Sequence, residues 1–254
     1  MLSFSEDSNN VPKFALWESV FTFLIIMGGV IFTFVIGEYT EQQWSMLGRA
    51  TLETLFMVSI ASVVGFTCGG GVGLYIWNKG QAGLSPSPLL YKVLSLFINS
   101  GRSVPYIIFM VLLIPLTRIC MGTSIGVVAA TFPLTLGAIL LFTRFAEDTF
   151  KNIPKGIVEM GQTLGASNLQ ILFKIVVFES MPQLTAHLTN MIVMLIGFSA
   201  MAGAIGGGGL GDLAIRYGYQ RYDLPFLFLI VFILILMVQC VQGIGDFVAR
   251  KMRK

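Results

Sequence analysis

Charge is what this 254-residue chain has least of: Asp, Glu, Lys and Arg make up 11% of it, against about 25% in a soluble domain. Histidine occurs once, at His187, and cysteine three times, at Cys68, Cys120 and Cys240, far apart and with no CxxC spacing. That leaves no metal-ligand cluster to assemble from sequence; the cysteines read as small buried hydrophobes. No HExxH and no sensible Ser-His-Asp order appears. No Gly-Lys dipeptide exists, so the phosphate-cradling GxxxxGK[ST] loop is missing as well. Net charge is only +3, which argues against a nucleic-acid-binding stripe. These absences exclude a self-contained enzyme and an ATP-hydrolysing chain.

What is abundant is apolar. Hydrophobic residues make up 55% of the chain and mean hydropathy is +0.82, more apolar surface than a protein of this size can hide from water. The expectation is therefore an all-α, polytopic membrane protein. Six runs are long enough to cross a bilayer: Trp17 to Ile36, Ala50 to Trp77, Val93 to Leu116, Thr123 to Phe142, Leu184 to Ile205 and Leu224 to Gly245. The first has no small-x-small cleavage site at its end and reads as a retained span. If both termini are cytoplasmic, the inner connections hold eleven basic residues, among them Lys79, Lys92, Lys151, Lys155 and the Arg250 to Lys254 tail. The outer ones hold four, Arg49, Arg118, Arg216 and Arg221. This asymmetry predicts that orientation, with Asp246 and the basic tail anchored at the inner surface of the lipid.

Glycine, at 28 residues, is clustered. Gly65, Gly69 and Gly73 stand four apart in the second span, the spacing of a close helix-packing face; the alternative is glycine tolerated against lipid. Gly206, Gly208 and Gly211 satisfy GxGxxG, but they follow a membrane span rather than a strand. The Gly203 to Gly211 stretch therefore reads as a helix terminus or re-entrant turn at the outer surface.

The longest stretch between spans, Thr143 to Pro182, predicts a short amphipathic helix against the membrane face, with Ile157, Met160, Leu164 and Ile171 at helical spacing. Pro154 would start it, and Pro182 would interrupt or end the next helix. A surface helix resting on headgroups is one reading. Within it, Glu159-Met160-Gly161-x3-Gly165-Ala166-Ser167, followed by Ile175 and Pro182, resembles the EAA-x3-G motif of ABC-importer permeases, the loop that docks into the nucleotide-binding subunit. Small residues at Gly161, Gly165 and Ala166 would leave a concave face for a partner, and Glu159 could pair with a basic group there. Met160 replaces the usual first alanine and Phe178 the first proline.

A narrower likeness rests on Arg102-Ser103-Val104-Pro105-Tyr106, on Ile114 to Arg118, on Gly122 to Gly126, on Ser199-Ala200-Met201-Ala202-Gly203 through Gly211, and on Tyr217-Gly218-Tyr219. From about Gly48 onward the chain resembles the permease subunit of methionine ABC importers, with Phe198 in place of the tyrosine usual before Ser-Ala-Met. The resemblance implies a type I ABC importer fold of five core helices over 48–254, with a coupling segment at about 151–182. Residues 1–47 add a tail and a sixth helix. It further implies a bacterial inner-membrane homodimer joined to two separate ATPases that bind ATP and Mg, and fed by an extracytoplasmic methionine-binding lipoprotein.

The residues that would form the pathway have competing readings. Arg102 lies inside a span, an expensive position that points to function, or to bonding with backbone carbonyls at a helix broken near Gly101 and Pro105. Met201 would suit a flexible apolar gate and equally simple packing. Ser199 would offer one hydrogen bond to a zwitterionic substrate, or pack between helices. His187 suits interfacial packing better than proton relay. The competing class, an ion-gradient-driven carrier, would need inverted repeats or midplane carboxylates, and neither is visible.

Overall fold

A computed structural model describes residues 39–252, together with Gly28 and Gly29; the expected first span at Trp17 to Ile36 lies outside the described residues apart from those two glycines. The described chain is helical, with α1 at Glu41–Lys79, α2 at Pro88–Ser103, α3 at Tyr106–Met121 and α4 at Val127–Lys151. There follow the short α5 at Lys155–Thr163, the long α6 at Asn168–Ala204, α7 at Gly209–Ala214 and α8 at Leu224–Met252. Helices are what lipid demands, because each backbone polar group must be satisfied within its own segment.

Four helices, α1, α4, α6 and α8, are each long and apolar enough to cross a bilayer. The third expected span is corrected: Val93 to Leu116 is not one helix but the pair α2 and α3, bent by 107°. The break falls at Val104 and Pro105, both extended in ψ, because proline removes a helical donor and drives the residue before it out of the α region. Pro115 and Pro133, by contrast, are carried inside α3 and α4.

Helix ends follow from local chemistry. Thr40 starts α1 with a capping box, accepting from the Gln43 N–H while the Gln43 side chain accepts from the Thr40 N–H at 2.9 Å. Gly122 ends α3 in the left-handed region, with φ 74°. Several helices also overrun their apolar cores. α4 extends to Lys151 and α6 begins at Asn168, so the connection expected from Thr143 to Pro182 shrinks to residues 152–167. Charged residues at i, i+3 and i+4 let α4 continue past Phe142: Arg144 pairs with Glu147 at 2.8 Å and with Asp148 at 3.3 Å, and Lys151 with Glu147 at 2.6 Å. Pro182 neither interrupts nor ends α6, which runs through it; the irregularity lies upstream, in a π-wound stretch at Ile171–Val176.

The centre of the bundle is the pair α1 and α4, which run parallel, since contacts progress from Gly65–Ala138 to Gly73–Ala146 along both. A Cβ on Gly65 would come 2.7 Å from the Ala138 Cβ, one on Gly69 2.8 Å from the Ile139 carbonyl oxygen, and one on Gly73 2.7 Å from the Thr143 carbonyl oxygen. Three consecutive turns of α1 therefore lie backbone-close against α4. Met57, Leu134, Phe142, Phe150, Met191 and Leu195 fill the core between α1, α4 and α6. A second cluster at the other end joins Leu47, Leu210, Leu213, Tyr217, Phe226 and Ile230. The cysteine expectation is corrected: Cys68, Cys120 and Cys240 are all exposed. A small apolar side chain has no need of the interior when the solvent is hydrocarbon.

Candidate functional site

α5 is held out at one end of the bundle by two tight turns. Pro154 stands at its N-cap. At its C-terminal end Gly165 takes φ +74°, a conformation that costs an L-residue roughly 1–2 kcal/mol. The chain then reverses, Ser167 and Gln170 form a second capping box, and α6 begins. Among the small residues expected to form a partner-facing hollow, Gly161 is placed differently. It is buried, and a Cβ there would lie 2.6 Å from Ile175 Cδ1 and 3.3 Å from Ile171 Cγ1. Its smallness seats α5 on the π-wound base of α6, and the Ala166 N–H donates to the Gly161 carbonyl at 3.1 Å. Gly165 has nothing within 4 Å of its would-be Cβ, so it serves the turn.

The amphipathic face is likewise turned round. Val158, Gly161 and Ile171 face the protein, whereas Met160 and Leu164 point outward, 57% and 79% exposed. With exposed Leu169 and Phe173 they leave an apolar patch beside the exposed Glu159 and Ser167.

A second feature sits at the α2–α3 break. A cavity of about 300 Å³ is lined by Arg102, Tyr106, Gly137, Leu140, Met194 and Phe198. Tyr106 stacks on Phe198 with ring centroids 4.1 Å apart and planes 12° off parallel, and the Tyr106 hydroxyl is buried with no partner. Arg102, in the last turn of α2, is exposed to this cavity rather than buried in a helix pair. Met194, Phe198 and Met201 recur along one side of α6, and Met201 is 43% exposed. Ser199 is buried, and its hydroxyl donates to the Ile196 carbonyl at 2.7 Å, within its own helix. The structure therefore brings Arg102, Met194 and Phe198 to one cavity, leaves Met201 one turn further along α6 outside its lining, and keeps Ser199 out of it. His187 stacks on Phe145 at 4.8 Å with Nδ1 unpaired, a packing position.

The profile of the binding-protein-dependent transport system inner membrane components matches residues 69–254. The chain belongs to this family. It is 42% identical over 217 residues to the probable D-methionine transport system permease protein MetI of Vibrio cholerae, an alignment covering 84% of this chain and 96% of that one. It is 34% identical over 202 residues to the methionine import system permease protein MetP of Bacillus subtilis, covering 80% and 91%. Among solved structures, an inward-facing form of the MetNI methionine ABC transporter superposes with a TM-score of 0.83 at 35% identity, over 84% of this chain and 99% of that one. An amino acid ABC transporter crystallised with histidines shares the fold at a TM-score of 0.68 and 16% identity. The permease is thus a multi-pass helical membrane subunit of the type I importer fold.

Two sets of residues in the permease lay beyond sequence reasoning. Glu147 is 2% exposed and accepts from Tyr91 at 3.0 Å besides pairing with Arg144 and Lys151; its charge spacing was readable, its link to α2 was not. Glu53 and Thr54 on α1 accept the Gly209 and Leu210 N–H groups, each at 2.9 Å, and so cap α7 from 156 residues away. Gly206, Gly208 and Gly209, at φ +86°, +76° and +75°, make the reversal that brings α7 beneath them.

Proposed function

We propose that this chain is the permease subunit of an ATP-driven importer of methionine, in its L- or D-form or a close derivative, working as a homodimer with two separate ATPase subunits. The observation that carries the reading is α5: an outward apolar patch of Met160 and Leu164 on a helix whose other side is locked, through Gly161, to the base of α6. ATP and Mg are bound by the ATPases, and an extracytoplasmic methionine-binding lipoprotein delivers the substrate. The end of the bundle bearing α5 faces the cytoplasm in this reading, which the basic residues Lys79, Lys92, Lys151 and Lys155 gathered there support.

The coupling follows from packing. An ATPase dimer closing on ATP displaces α5 at Glu159 and Met160 and the turn after it at Leu164, Ala166 and Ser167. With Ile171 and Ile175 pressed on Gly161, that displacement passes into α6 without slack. α6 carries Met194, Phe198 and Met201, so its tilt opens or closes the space between the two subunits. Arg102 offers a permanent positive charge to a substrate carboxylate, while Phe198, Met194 and Met201 offer polarisable apolar surface to a thioether.

Uptake of radiolabelled L- and D-methionine into proteoliposomes tests this, with and without the co-reconstituted ATPase and binding protein. ATP-dependent accumulation of methionine is expected. Accumulation driven by a sodium or proton gradient without the ATPase would overturn the proposal, and uptake of a chemically unrelated amino acid in preference would overturn the substrate.

A further inference from the structure

A half-open hollow at the end of the bundle bearing α5 belongs neither to the coupling segment nor to the cavity at the helix break. It measures about 440 Å³ and lies where the last turn of α1, the connection 80–87, the first turn of α2 and the end of α4 meet. Three ammonium groups line it, from Lys79, Lys92 and Lys151. Lys151 is committed to Glu147, but Lys79 and Lys92 have no acidic partner among the described residues. Trp77 forms part of the wall; it is 3% exposed and its indole N–H has no acceptor. The sixteen-residue α2 begins here at Pro88; Ser87 gives no side-chain cap, although its carbonyl accepts the Tyr91 N–H at 2.9 Å. The nearby carboxylate of Glu147 is saturated by Arg144, Lys151 and Tyr91. The Lys79 ammonium lies 5.7 Å over the Tyr75 ring, but it, the Lys92 ammonium and the Trp77 indole N–H have no acceptor oxygen among the described residues, so the groups around this hollow that remain to be satisfied are all donors.

Donors and cations without acceptors call for an anion with several oxygens. The surroundings say where it comes from. Tyr75, Leu89 and Val93 stand exposed on the same helix ends, and α1 and α4 run from this level into their membrane-spanning stretches. A molecule with a charged oxygen-rich head and long apolar tails fits both parts; a basic pocket between helix ends at the inner surface is where such headgroups bind. We propose that this hollow is a binding site for the phosphate headgroup of an anionic phospholipid, held by Lys79, Lys92 and Trp77 with its acyl chains along Tyr75, Leu89 and Val93. The site ties α1, α2 and α4 together at the end where α5 departs, independently of which substrate the permease carries.

The test uses the full-length chain in a zwitterionic-lipid nanodisc titrated with phosphatidylglycerol, phosphatidylcholine or inorganic phosphate, with bound molecules counted by native mass spectrometry. Selective retention of phosphatidylglycerol is expected. Lys92→Gln should weaken it about fivefold and the Lys79→Gln/Lys92→Gln pair roughly twenty-five-fold. Trp77→Phe, which keeps the ring and removes the donor, should weaken it with an unchanged unfolding midpoint. If the pair disturbs folding, Lys92→Gln alone decides, since that side chain is exposed. Equal retention of phosphatidylcholine, unaltered phosphatidylglycerol binding in Lys92→Gln, or displacement of the lipid by inorganic phosphate at comparable concentration would each overturn the assignment.

Discussion

Glycine and glutamate are the residues on which this permease depends most visibly. Gly69 has the Ile139 carbonyl oxygen 2.8 Å from where a Cβ would stand, whereas Gly71 has nothing within 4 Å. Gly69→Ala should cost about 1–3 kcal/mol through forced separation of α1 from α4, and Gly71→Ala should be neutral or slightly stabilising; detergent-solubilised unfolding midpoints compare the two. Glu147 is the counterpart among charged groups. Its replacement by Ala leaves the exposed Lys151 and the half-buried Tyr91 without their partner and should cost about 1–3 kcal/mol, against about 1 kcal/mol for Tyr91→Phe. The four-residue spacing of Gly65, Gly69 and Gly73 could be seen in the sequence, as could the charges of Arg144, Glu147 and Lys151 one turn apart. That Tyr91 closes the second set could not, because the contact spans 56 residues and no local pattern encodes it.

At the scale of the element, α5 and α7 are short helices that exist only because something else holds them. α5 has nine residues, too few to be stable alone in water, and its Gly165 turn and Gly161 seat fix it to α6. Gly165→Asp should leave insertion and dimerisation intact and lower uptake per ATP hydrolysed, because the new side chain strains a left-handed turn and places charge beside the Met160 and Leu164 patch. Simultaneous measurement of hydrolysis and transport checks it; normal uptake would sink the coupling role. α7 hangs on Glu53 and Thr54. Thr54→Val strands the Leu210 N–H in a buried place, for about 1–3 kcal/mol, and should speed amide exchange at Gly209 to Leu213. The α2–α3 break was half legible: Gly101 and Pro105 announced a disturbed helix, but hydropathy measures apolar length and is blind to direction, so one run of about 24 residues passed for one span.

At the scale of the whole molecule, α1, the bent pair α2–α3, α4, α6 and α8 make five passages, so Tyr39 and Met252 lie at opposite faces. The end with α5 also holds Lys79, Lys92, Arg144, Lys151, Lys155 and Lys174, and the other Arg49, Arg118, Arg216 and Arg221. A reporter enzyme active only outside the cytoplasm should therefore work when fused after Gly122 and fail when fused after Asn152; the reverse result would invert the proposed orientation. Composition alone settled the solvent, because only hydrocarbon tolerates so little charge, and apolar runs of about 20 residues then selected helices over a closed barrel. Motif spacing was enough to single out the segment around Glu159. What tertiary structure decided is which way each feature faces. Gly161 turns inward and Met160 outward, Ser199 is spent on Ile196, Arg102 lines a cavity with Phe198, and Lys79, Lys92 and Trp77 meet around one hollow. Sequence encodes periodicity within an element, but facing is set by the neighbours that element packs against, and those come from distant parts of the chain.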